Sequence, residues 1–397
     1  MAQNLVYCGI MQIKTVPEDF VVQEVLSVSP SGSGRYAVYR VQKRALTTLQ
    51  VQNRLAAALG LPRSAVEFPA LKDRRAVTVQ FGTVCGAGPR RIEDAGFTAE
   101  RVGRRERPLS PRDLAGNRFT VILRDLEPGG VEGMATRLAE IARWGVPNYF
   151  DDQRFGSRLK NGEFPGRLIL RRDKEGALRA FLAGRQVGDP ASICAFKAFA
   201  AEHWGDWGVI FERAPKPSNY RSVLTYLRDH PQDYRRALNL VTPRLLSLYL
   251  AAYQSWLWNR LAGRYLQTRL AATGLSIEVA GERLPVYRQL SAGLWAAWRD
   301  KKLPLLHHRL QCSELALERL VEGVLWEEGF QVNDLKARVL RRAYLSKGSR
   351  SLLLAPKDMT WGSFSPDERF AGRQKLTVRF FLPRGSYATL LLKAVAS

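Results

Sequence analysis

KLTVRFFLP, Lys375 to Pro383, runs into Arg384-Gly385 and then SYATLLLKAV, Ser386 to Val395, and this stretch decides how the chain is organised. The first run alternates polar and apolar side chains, the period of a half-buried strand. Arg384-Gly385 reads as a turn and the second run as a returning strand. A two-stranded hairpin buries too little to be stable alone. It therefore needs a sheet to join, and the strands that could receive it lie at the other end of the chain. FVVQEVL (Phe20 to Leu26), YAVYRVQKR (Tyr36 to Arg44), a run from Ala76 to Phe81, and NRFTVILRDL (Asn117 to Leu126) all read as strands. LTTLQVQNRLAAALGL (Leu46 to Leu61), with Thr47 or Thr48 as cap and Gly60 at the exit, and VEGMATRLAEIARWG (Val131 to Gly145) read as helices packed on them. Sheet with helices layered on it is an α+β arrangement.

The chain between these ends changes character. From about Leu159 to Arg342 it is mainly helical, centred on PRLLSLYLAAYQSWLWNRLAGRYL (Pro243 to Leu266), with SELALERLVEGVLWEEG (Ser313 to Gly329) as a second clear helix. The economical division gives residues 1–158 and 343–397 to one domain, the C-terminal part completing the sheet. Residues 159–342 are then a helical insertion. A length of 397 residues agrees with more than one core.

Composition bounds the partner. Lys and Arg number 61 against 37 acids, a net charge of +24. A folded chain tolerates that self-repulsion most easily when its partner is a polyanion, nucleic acid first and an anionic membrane surface second. No run approaches the roughly 18 uncharged apolar residues of a spanning helix, and MAQNLVYCGIMQIK is not built like a signal peptide. Cys8, Cys85, Cys194 and Cys312 form no CxxC pair, and the one metal-like feature is His307-His308, whose side chains point apart. The expectation is a cytoplasmic protein, monomeric, with no metal and no membrane association. Two basic runs stand out, Arg101, Arg104, Arg105, Arg107 and Arg112, then Arg341, Arg342, Lys347 and Arg350. Each is either a phosphate-contacting surface or a solvated face.

Chemistry enters with ALKDRRAVTVQF, Ala70 to Phe81. Asp73 stands at the mouth of a strand between Lys72 and the pair Arg74-Arg75, and nearby positive charge favours the anionic form of an acid. Such an aspartate is either one member of an ion-pair cluster or a nucleophile. Three further pieces are polar and aromatic where packing would not ask for it. They are Lys14-Thr-Val-Pro-Glu-Asp-Phe20 running on to Glu24, Gly116-Asn117-Arg118-Phe119-Thr120 with Gly145-Val-Pro-Asn-Tyr-Phe-Asp-Asp-Gln-Arg-Phe-Gly156, and Leu382-Pro-Arg-Gly-Ser-Tyr387-Ala-Thr389.

In that order along the chain, these four pieces resemble the TruD family of tRNA pseudouridine synthases. The likeness covers both ends and the YQSWLWN stretch, and leaves much of the insertion unmatched. It implies a pseudouridine-synthase catalytic domain with a mixed, largely antiparallel sheet and a large, mainly helical insertion. It also implies isomerisation of uridine to pseudouridine in RNA, in tRNA at position 13, without cofactor or metal. Asp73 matches the nucleophile, and Lys14 a lysine that pairs with it or polarises the base. Asn117 and Phe119, two apart and so on one face of a strand, match the residues that read and stack on uracil. Phe20 and Tyr387 match aromatics walling the base or ribose, while Gln80 and Glu24 are motif positions that could equally be scaffold. The sequence departs from the family pattern at Arg35-Tyr36 and at Lys393-Ala394. A rival reading is an RNA-binding or chaperone protein that kept the fold without the catalysis.

Overall fold

The computed structural model describes residues 6–8, 11–86, 88–216, 218–270 and 274–397, with backbone only for Val6–Cys8 and Val131. Residues 1–5 and 9–10, on which part of the leader expectation falls, lie outside these. Two compact units emerge. One comprises everything up to Val146 together with Arg288–Trp295 and Leu354–Ser397; the other comprises Pro147–Tyr287 and Ala296–Leu353.

The first unit is built on a mixed sheet. Its central strands are β1 (Phe20–Leu26), β2 (Tyr36–Arg44), β3 (Val77–Cys85), β4 (Phe97–Arg105) and β5 (Leu114–Leu126). Their lateral order is β5, β1, β3, β2, β4. Every pair among them is antiparallel except β1 with β3, which are parallel. β6 (Gln374–Pro383) lies antiparallel on the far side of β5, with Asn117 opposite Leu382 and Phe119 opposite Phe380. The C-terminal strand thus joins the N-terminal sheet, and Gly116 permits the close approach: a Cβ there would stand 2.2 Å from the Leu382 carbonyl oxygen.

Helix α1 (Thr48–Ala58) packs on one face. Thr47 caps it, accepting from the Gln50 N–H while the Gln50 side chain accepts from the Thr47 N–H. Val51, Leu55 and Ala56 of α1 bury against Ala37, Tyr39 and Val41 of β2 and Val84 of β3. Each large apolar side chain so buried contributes about 1.5–3 kcal/mol. Helix α2 (Val131–Trp144) ends at Gly145, whose φ of 65° is one that glycine adopts freely.

The expected hairpin at the C-terminus is corrected. After Gly385 (φ 84°) the chain leaves the sheet, and Ala388–Val395 is helix α3, not a strand. Two causes combine. The outer edge of β6 is already occupied by Lys357–Trp361 and Ser365–Pro366, so no pairing partner remains for a returning strand. The residues themselves, Ala, Leu and Lys, are strong helix formers, and Leu390, Leu391, Ala394 and Val395 bury as a helical face.

The second unit is mainly helical around the helix Pro243–Gln267. The buried amides of its YQSWLWN stretch bind loop backbone. Asn259 accepts from the Phe150 N–H and donates to the Phe150 carbonyl, both at 2.8 Å, and Gln254 donates to the carbonyls of Leu306 and Ser346. The first contact ties Phe150, which precedes the expected start of the insertion at Leu159, to this helix; the unit itself starts at Pro147. No helix among the described residues is long and apolar enough to cross a membrane.

Candidate active site

The site grows from the end of the sheet where β3 begins. There β1 starts, with Val21 opposite Val77, and β2 ends, with Arg44 opposite Val77. The segment leading into β3 is pinned at three points. The Lys72 N–H donates to Thr48 Oγ1 at 2.9 Å, and that hydroxyl donates to buried Gln80 Oε1 at 3.1 Å. Lys43 Nζ, buried, donates to the carbonyls of Asp73 at 2.7 Å and Leu46 at 2.8 Å. The Lys72 side chain turns into the sheet, where Nζ lies 2.9 Å from Glu24 Oε1 and 2.7 Å from Asn117 Oδ1. Glu24 and Asn117 are directly opposite each other on β1 and β5. Burial pushes the Lys43 ammonium down to about 8, against the pull of Asp73 and with a smaller push from Lys72. Burial raises Glu24 above its ordinary value, opposed by Lys72 and by the Phe81 N–H, which donates to Oε2 at 2.7 Å.

With its backbone fixed, Asp73 presents its carboxylate outward, 41% exposed. Its partner is Lys14, whose Nζ is 2.6 Å from Oδ2 and whose side chain is only 7% exposed. The same ammonium sits 4.1 Å from the centroid of the Phe20 ring. Lys14 has φ 60°, a left-handed conformation that costs a residue with a Cβ about 1–3 kcal/mol and persists only where the surroundings dictate it. Those surroundings are rigid. The turn Pro17–Asp19 is closed by Asp19, which accepts from the Val16 N–H at 2.9 Å. Asp19 also pairs with buried Arg124 of β5 at 2.9 Å, and Arg124 reaches Asp367 at 2.7 Å and Glu368 at 2.9 Å.

The aromatic residues line up behind this pair. Phe20 meets Phe119 edge-on at 5.9 Å, and Phe119 stacks on Phe380 at 5.3 Å. Phe20, Phe119 and Phe380 are nearly enclosed, so they form a floor more than a wall. Tyr387, half-buried, precedes α3 four residues after Pro383, which pairs with Gly116 beside Asn117.

Lys14 thus touches both Asp73 and Phe20, Phe119 joins through Phe20, and Asn117 is held by Lys72, the residue preceding Asp73. Two of the sequence neighbours of Asp73 turn elsewhere: Lys72 faces Glu24 and Asn117, and Arg74 Nε donates to the Ala45 carbonyl at 3.3 Å. Sequence reasoning missed Lys43, Thr48, Arg124 and Phe380. Only Phe380 carried a signal, through the alternation of its strand. Among the described residues no three His, Cys, Asp or Glu side chains converge in a way that could hold a metal ion. Such a site can hold an anionic carboxylate beside an ammonium, over a ring floor, with a side-chain amide close by.

A sheet of this order, split by a helical unit, defines a recognisable class of fold. The crystal structure of a tRNA pseudouridine synthase D (TruD) from Methanosarcina mazei superposes with a TM-score of 0.75 at 22% identity, over 99% of this chain and 95% of the other. The family model of tRNA pseudouridine synthase D (TruD) matches residues 8–290, and the chain belongs to that family of isomerases. It is 29% identical, over 98% of its length and 92% of the relative's, to probable tRNA pseudouridine synthase D 2 of Methanocaldococcus jannaschii. It is 32% identical to tRNA pseudouridine synthase D of Geobacter sp. strain M21, over 96% of this chain and 95% of that one.

Proposed function

We propose that this chain converts uridine 13 of tRNA to pseudouridine, with Asp73 as nucleophile. The observation that carries the reading is the Lys14–Asp73 pair, in which the ammonium is buried and the carboxylate is left accessible. A structural ion pair has no need of that asymmetry, whereas covalent catalysis needs an anion held ready and reachable. A base stacked inside folded RNA cannot reach it, so the uridine is extruded into the site. The bond from ribose C1′ to N1 breaks, the freed uracil turns, and C1′ bonds to C5. The C5 proton leaves as N1 gains one, so product and substrate contain the same atoms. Asp73 attacks C1′ or the ring to start this sequence, and Lys14 steadies the carboxylate. Asn117 contacts the uracil edge, Phe20 and Phe119 support the ring from below, and Tyr387 walls the ribose side.

The chemistry calls for no redox step and no hydrolysis, so the reading includes neither cofactor nor metal. It takes the enzyme as a cytoplasmic monomer with tRNA as its partner. Purified protein incubated with unmodified tRNA, followed by chemical mapping of pseudouridine, tests it. One new pseudouridine at position 13 is expected; modification confined to another position would overturn the site assignment.

A further inference from the structure

Asn117 has one end of its amide committed. Lys72 is a cation that can only donate, so the atom 2.7 Å from its Nζ has to be the carbonyl oxygen Oδ1. The Nδ2 hydrogens therefore point the other way, and no described residue accepts from them. Lys72 is itself locked, by Glu24 at 2.9 Å and by its own backbone bond to Thr48. Glu24 is locked in turn by the Phe81 N–H. The chain Phe81–Glu24–Lys72–Asn117 spans three strands and terminates in a fixed hydrogen-bond donor beside the loop that carries Asp73.

That polarity matters because of what the base must do. Moving the attachment point from N1 to C5 turns uracil by half a revolution about its N3–C6 axis, and the same turn exchanges the C2 and C4 carbonyls. A fixed donor at a carbonyl position is therefore satisfied by uracil both before and after the turn. In cytosine the C4 substituent is an amino group, also a donor, which meets the amide unfavourably in one of the two orientations. An amide free to flip would accept from that amino group and lose the distinction.

We propose that Lys72 is a positioning residue which, backed by Glu24, holds Asn117 as an obligate donor to whichever uracil carbonyl faces it, and so sets specificity for uracil. The inference rests on the function proposed above and goes beyond it in naming the donor and what fixes it.

The experiment measures single-turnover pseudouridine formation on a tRNA stem-loop with uridine, 2-thiouridine or 4-thiouridine at the target, since sulfur is a poorer acceptor than oxygen. Wild type should be slowed by each thio-substitution, about tenfold for one weakened hydrogen bond of roughly 1.4 kcal/mol. In the double variant Lys72→Met/Glu24→Gln, which removes both charges of the buried pair together, the rate on uridine falls and the thio penalties shrink to within about twofold. A purely structural role would lower all three rates by the same factor, so unchanged penalties in the folded double variant would overturn the inference. Should that variant fail to fold, Asn117→Asp carries the same test: it still accepts from Lys72 but has no donor, and retained thio penalties there overturn the proposal equally. Absence of product from wild type on the uridine stem-loop would overturn the functional reading first, and this inference with it.

Discussion

Lys14 stands 59 residues from Asp73 in the chain, yet it supplies the charge that the adjacent Lys72 and Arg74 were expected to give. The residue type at position 73 was legible because a lone acid among cations at a strand mouth is unusual. Its partner was not legible from the residues around it, because pairing across such a separation depends on strand order; only the family resemblance offered Lys14, as a residue that pairs with Asp73 or polarises the base. Lys43 is the same lesson in a harder form. In the sequence it is one of several cations ending β2, but its ammonium is buried and holds the Asp73 carbonyl. That burial has a consequence for stability. The unfolded chain keeps this proton up to its ordinary value near 10.5, whereas the fold releases it at about 8. Between those limits the unfolded state binds more protons, so the contribution of this group to stability rises with pH from about 8 to about 10.5. Below pH 8 the fold bears the whole penalty. Urea unfolding of wild type and Lys43→Met at pH 7 and pH 10 should show wild type gaining on the order of 3 kcal/mol relative to the variant. Parallel pH dependence of the two proteins would contradict a buried, titrating Lys43.

At the scale of elements, the strands were legible where alternation was clean. β1 and β2 fall at the expected residues, and the start of β6 differs by one. Helix α3 was not legible, because LLL gives no period and whether a run becomes strand or helix depends on a free sheet edge. What ties the elements together was invisible as well. Arg124 of β5 joins the Pro17–Asp19 turn to the C-terminal segment through Asp19, Asp367 and Glu368. Burial alone would lower its affinity for a proton, but its hydrogen-bonded acids outweigh that and raise it, and Arg124 and Lys375 together hold Glu368 down to about 2. Because the side chains of Asp19 and Asp367 are fully buried, Arg124→Met leaves two enclosed carboxylates without their cation. The expected loss is about 3–5 kcal/mol of unfolding free energy, read as a lower denaturation midpoint at neutral pH. A loss under about 1 kcal/mol would mean that the cluster is incidental to joining these segments.

For the molecule as a whole, the excess of cations proves to be partly internal wiring. Arg101, Arg104 and Arg105 bind the carbonyls of Gly88 and Gly34 and the carboxylate of Asp113. Arg350 donates to the Asn148 carbonyl at 2.7 Å and lies 4.1 Å from the Phe150 ring centroid. Arg341, Arg342 and Lys347 are the exposed members of their run and remain suited to phosphate. The joining of the two chain ends in one sheet was legible because a lone C-terminal strand pair had to find partners. The long-range bonds of the helical unit were not, since amides such as Asn259 bind backbone 109 residues away in the chain. What all of this holds in place is one carboxylate, and the direct test of the account is Asp73→Asn. Thermal unfolding, tRNA affinity and single-turnover release of tritium from C5-labelled uridine should be measured on one preparation. The account predicts a folded protein that binds tRNA about as well as wild type and releases no detectable tritium. A folded, tRNA-binding Asp73→Asn protein that still released tritium would contradict it.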